Sequence, residues 1–279
     1  MKRQGKRREG LVRAASTLVL VATALCTKTA LANPRPLPFT YVYETMGEGA
    51  AEIEQYADFT PVKVLSTATG NPTWYGATQF QTEFEYGITD RLELGLYVTL
   101  VPRPSDAFSS LPTLTEGNGI KQRLRLRLGE EGQFPVDIAL YGEVVENERE
   151  IELEAKIILQ KRFGNLRVVT NLWAEREYYF VNRRDWVLNP TLGVTYQVTP
   201  VFHPGIESWM RVEFPDPAPS PRPFNLLPHY FVGPTAMLNL GRIWWSTGAY
   251  LRLDEFGRSL QPGDAFGSVW IRTVVGVGL

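Results

Sequence analysis

The sequence predicts an all-β protein: a closed antiparallel transmembrane β-barrel of about 12 strands with periplasmic termini. Three observations carry this prediction. An export leader comes first, strict apolar/polar alternation recurs along nearly all of the chain after it, and short connections alternate with mostly longer ones.

In the leader, Lys2, Arg3, Lys6, Arg7, Arg8 and Arg13 form a basic region, 14–25 an apolar core, and Ala30-Leu31-Ala32 a cleavage motif before Asn33. The apolar run is shorter than the roughly 20 residues a spanning helix needs. We therefore expect a secretory signal peptide over 1–32. The only cysteine, Cys26, lies inside it behind Leu25, too large for a lipoprotein site. The mature chain then has no thiol, disulfide or thiolate metal site.

Removing 1–32 takes away seven basic side chains and one acidic one, leaving 22 basic and 29 acidic, so the net charge falls from −1 to −7. An acidic chain is a poor partner for nucleic acid. No later stretch is long and apolar enough for a spanning helix, so a membrane-inserted chain must use strands closed into a barrel.

Residues 33–49 hold prolines, then an aromatic run from Phe39, and read as an N-terminal leader to the barrel, which itself covers 50–279. The barrel opens with Ile53, Ala57 and Phe59 alternating with Glu52, Glu54, Tyr56 and Asp58. A hairpin over 73–100 follows. Phe80, Phe84 and Tyr86 alternate with Gln81, Glu83 and Glu85, then Leu92, Leu94 and Leu96 with Glu93, Gly95 and Tyr97, around a turn at Thr89-Asp90. After a loop rich in Pro, Ser and Thr, Ile120, Leu124, Leu126 and Leu128 alternate with Lys121, Arg123, Arg125 and Arg127, a basic ladder on one face of one strand.

The same period runs through 136–144, 151–160 and 166–175, with further candidates at 186–198, 202–214, 228–240, 243–253 and 270–279. Pro190, Pro204 and Pro234 weaken three of these, because proline cannot donate to a ladder. Strands of roughly ten residues in even number suit an outer-membrane barrel. Aromatic residues on the apolar parity, such as Trp74, Trp186 and Tyr230 at one end and Tyr86, Tyr196 and Trp245 at the other, form two interfacial girdles. A soluble β-sandwich explains the alternation locally, but not the strand length, the even count and the aromatic ends together.

Three segments, 83–100, 52–55 and 151–164, resemble strand-turn-strand signatures of uncharacterised Gram-negative outer-membrane barrels, similar to those assigned to transport in the meta-pathway of phenol degradation. The resemblance implies an outer-membrane location and passage of small molecules. It carries no catalytic residues.

The chemistry of the residues agrees. The mature chain has two histidines, and His203 and Ser208 would lie about 17 Å apart on opposite faces of a strand. A Ser/His hydrolase is therefore a third reading and a zinc site is improbable. No glycine-rich phosphate loop is present, and no cofactor is expected. The sharper feature is an acidic wall of Glu52, Glu54, Glu83, Glu85 and Glu93 beside the basic ladder of Lys121, Arg123, Arg125 and Arg127. Facing each other across a narrow lumen, such charges form a constriction that selects polar solutes. Paired with one another, they fill a closed structural barrel instead. The expectation is a monomer whose partners are outer-membrane lipid and a small-molecule solute, acting as a narrow channel or passive transporter, with a plugged structural or interaction barrel as the alternative.

Overall fold

In the computed structural model, residues 32–104, 106–111, 117–218, 226–254 and 256–279 are described. The expected signal peptide lies, up to residue 31, outside the described residues. Among the described residues every named element is a β-strand. The strands are β1 (Ala51–Leu65), β2 (Pro72–Gly87), β3 (Leu92–Leu100), β4 (Gly119–Arg127), β5 (Asp137–Asn147), β6 (Glu150–Phe163) and β7 (Leu166–Tyr179). They continue as β8 (Arg183–Leu188), β9 (Thr191–Tyr196), β10 (Phe202–Asp216), β11 (His229–Asn239), β12 (Ile243–Arg252) and β13 (Val269–Gly278).

β8 and β9 are two halves of one strand position, since both pair with β7 on one side and β10 on the other. The break falls at Asn189-Pro190, where proline lacks the N–H the ladder requires. Pro204 and Pro234 also sit in strands, and there the pairing of β10 with β11 continues past them. Twelve positions result. Every neighbouring pair is antiparallel, and β13 closes the sheet on β1, with Glu52 opposite Gly278 and Phe59 opposite Ile271.

Alternation decides which face each side chain takes. Ile53, Phe84, Leu96, Leu124, Leu153 and Leu172 are exposed on the outside, forming the apolar belt that such a barrel turns to lipid. Trp74, Trp186 and Tyr230, and Tyr86, Tyr196 and Trp245, are exposed on this same outer surface.

The rim at which β1 begins and β13 ends, which we call periplasmic, has short connections at 88–91, 164–165, 197–201 and 240–242 and a longer one at 128–136. The outer rim does not follow the simple length rule. Its connections at 148–149 and 180–182 are short because β6 and β7 run 14 residues each and stay paired to their tips, from Glu150 opposite Tyr179. Two outer loops fold back onto the barrel instead. Ser109 N–H donates to Leu65 C=O at 2.9 Å and Gly263 N–H to Lys63 C=O at 3.1 Å.

Candidate functional site: a lumen occupied by the N-terminal segment

Residues 33–46, within the segment read as a leader, run inside the barrel. The chain enters at the periplasmic rim, where Asn33 N donates to Glu52 Oε2 at 2.6 Å. It rises past Arg35, which donates to Tyr56 Oη at 2.7 Å and to Pro38 C=O at 3.1 Å while its guanidinium lies 4.2 Å from the Tyr41 ring centre. It turns at 37–41 and descends along β7 and β6 to the rim again, where Glu48 N–H donates to Asp90 Oδ1 at 3.0 Å.

A buried chain outside any ladder must still satisfy each N–H. Pro34, Pro36 and Pro38 carry none. Lumenal side chains serve much of the rest. Glu207 accepts from Phe39 and Thr40 N–H, Gln160 Oε1 from Tyr43 N–H at 3.1 Å, and Glu93 Oε2 from Met46 N–H at 2.7 Å. Asn171 bonds both backbone groups of Tyr41. Glu44 Oε1 is shared by Arg162 and Arg167 at the rim. Burial pushes this carboxyl up, but Arg167 and Arg162 outweigh it and hold it below the ordinary carboxylate range.

The acidic wall and the basic ladder meet. Glu52, Glu54, Glu83, Glu85, Glu93, Arg123 and Arg125 are fully buried and Lys121 nearly so, while Arg127 is half-buried at the rim and donates to Asp90 C=O at 2.5 Å. Arg123 lies 2.6 Å from both Glu83 and Glu85 and 2.8 Å from Glu93, which also meets Arg125 at 2.8 Å. Arg35 of the inserted segment reaches Glu54 at 3.6 Å, and Lys121 turns the other way, to Glu143 at 3.7 Å. Gly95 makes the Arg123 cluster possible, because a Cβ there would stand 2.5 Å from Arg123 Nε and 2.6 Å from Glu83 Oε1. The carboxylates of Glu54, Glu83 and Glu85 are close enough to suggest a cation site. The guanidinium of Arg123, within ion-pair distance of two of them, already supplies positive charge there.

Beyond this cluster the lumen divides into two sectors that local sequence reading did not anticipate. On β6 to β10, Arg211 binds Glu175 at 2.9 Å and Glu177 at 3.0 Å, and Lys156 lies 3.6 Å from the Trp173 ring centre and 3.9 Å from that of Tyr141. On β10 to β13, Trp209 stacks on Phe231 at 4.0 Å, and Phe39 packs on Trp209 at 4.9 Å and Tyr250 at 5.1 Å. Between Phe39 and Tyr41 of the inserted segment and the wall, lined by Tyr56, Tyr97, Lys121 and Lys156 among others, is a cavity of about 30 Å³, enough for water. A larger one of about 260 Å³ opens beside Asn33, Glu44 and Arg167. The histidines are far from one another in the fold. His229 pairs with Asp254 at 2.9 Å, and His203 at the periplasmic end of β10 lies 3.4 Å from Pro200 C=O.

The one sequence signal for the insertion was proline at alternate positions before an aromatic run, a stretch able to lie buried with few donors. Its partners come from strands up to 168 residues away, so the docking was not legible.

No protein-family model matches the chain, and no curated protein matches it. Solved structures share its fold. An outer-membrane channel from Pseudomonas putida F1 superposes with a TM-score of 0.58 at 11% identity, over 85% of this chain and 98% of that one. The NanC porin superposes with a TM-score of 0.56 at 10% identity, over 81% of this chain and 100% of its own. The chain is thus similar in fold to outer-membrane channel barrels.

Proposed function

We propose that the protein is exported through its 1–32 leader to the outer membrane and acts there as a monomeric, narrow passive channel for small solutes. In this reading the inserted segment 33–46 and the Arg123 cluster form its constriction. The observation that carries it is the way the segment is held. Side chains of the wall bond it, with no ladder to any strand, so water can replace those bonds while the barrel ladders stay intact. A lumen of charged and polar groups suits hydrated solutes. The likeness to phenol-degradation barrels, together with Phe39, Trp209 and Tyr250 along the lumen, supports small aromatic compounds as the solute class.

Planar-bilayer conductance tests the reading, comparing the chain that begins at Asn33 with one lacking residues 33–46. We expect larger steps from the shortened chain, and smaller ones on replacing Arg123, Arg125 and Arg127 by Ser if the ladder steers the solute. No steps from either chain would overturn the channel. The second reading, a filled structural barrel, would then stand, and the saturation of Arg123 by three glutamates favours it.

A further inference from the structure

Glu52 differs from the other glutamates of the acidic wall. Glu54 faces Arg35, Glu83 and Glu85 face Arg123, and Glu93 faces both Arg123 and Arg125. Glu52 is 0% exposed, and no guanidinium or side-chain ammonium among the described residues lies within ion-pair distance of it. Its two oxygens accept instead from the Trp244 indole N–H and from the backbone nitrogen of Asn33, the latter at 2.6 Å. A buried carboxylate served by neutral donors alone is costly. The nitrogen it holds is the one that removal of residues 1–32 would release.

We infer that Glu52 is the receptor for the new N-terminus: once the leader is removed, the α-ammonium of Asn33 pairs with the Glu52 carboxylate and fastens the inserted segment at the periplasmic rim. This rests on cleavage after Ala32. Hydrolysis of that amide by a leader-removing endopeptidase consumes one water and leaves a carboxylate on Ala32. The amine released at Asn33 takes up a proton. One neutral hydrogen bond thereby becomes a charge-assisted one, and the buried anion acquires its missing cation. Ala32 packs against the cluster of Tyr56, Tyr97, Trp244 and Val274, so the bond is most accessible before the segment docks. Processing therefore precedes fastening. Uncleaved chain would have a barrel but a weaker hold on its own insert.

Two measurements test this without using conductance, so that its failure is separate from failure of the channel reading. N-terminal sequencing of protein from the membrane fraction should begin at Asn33, and any other start overturns the assignment. On the refolded chain starting at Asn33, acylation of the α-amine by an active ester at neutral pH should be slower by about tenfold than in E52Q, as expected for a group reached only through local opening. Equal rates in the two folded proteins overturn the pair. If E52Q does not refold, chains with a free and an acetylated N-terminus are compared. Acetylation should lower the temperature at which the folded gel band disappears, and an unchanged temperature overturns the pair as well.

Discussion

Asn171 on β7 treats Tyr41 as a neighbouring strand would: its Oδ1 accepts from Tyr41 N–H at 2.8 Å and its Nδ2 donates to Tyr41 C=O at 2.9 Å. One side chain thereby closes both backbone valences of a residue at the turn of the insert. Replacing it by alanine leaves two buried backbone groups unpaired, at about 1–3 kcal/mol each. For N171A, amide hydrogen exchange should quicken over residues 37–43 while β1 to β5 remain protected. A uniform loss of protection around the barrel would mean that Asn171 supports the wall instead.

The top of the insert leaves no room at β9. A Cβ on Gly193 would stand 2.4 Å from Leu37 Cδ1. Gly193→Val should therefore expel the turn without preventing barrel closure. Residues 33–279 contain no cysteine, so in a chain that begins at Asn33 a single T40C placed at the buried turn reports the event. We expect fast thiol labelling in the G193V background and slow labelling without it, both with heat-modifiable gel migration.

Arg123 neutralises three buried carboxylates, and truncating it strands them together. Breaking a buried pair by removing one partner costs about 3–5 kcal/mol. R123S should lower the heat-dissociation temperature of the folded band strongly. R127S, at the half-buried end of the ladder, should do little. Gly95→Ala should fall between them, since its methyl group displaces the guanidinium without deleting it.

Acid should loosen the insert at the rim. The Glu44 carboxyl is held below its ordinary range, so its folded value lies under the unfolded one of about 4.3. A depressed acid contributes stability that is complete above the unfolded value and is lost as the pH falls through the folded one. The protection factors of the amides of residues 37–46 should therefore fall below about pH 4, and in E44Q this acid step should be missing because the group no longer titrates. An acid step that persists in E44Q would assign the effect to other carboxylates.

The barrel was largely legible because strand period is a local property. Two residues per repeat place Leu124, Leu126 and Leu128 outside and Arg123 and Arg125 inside without reference to any other strand. The hairpin expected over 73–100 is present, its connection at 88–91 containing Thr89-Asp90, and its register, with Phe84 opposite Leu96 and Glu83 opposite Tyr97, was set by the longer turn. Pro190 was readable as a weak point, and the ladder breaks there. The tight outer connections at 148–149 and 180–182 were less legible, because pairing out to strand tips depends on the neighbouring strand.

What occupies the lumen was a tertiary matter. By itself the sequence determined the strands, their outward faces, the basic ladder, the acidic wall and the unusual proline alternation of 34–38. Only the folded barrel decided that the ladder closes on the wall instead of facing it across open space, and that residues 33–46 lie inside. Period two specifies which side of a sheet a residue takes. Ring closure and chain packing decide what it meets there: Glu207, Asn171, Gln160 and Glu93 hold the insert from 168, 130, 117 and 47 residues away. No local pattern encodes such distances.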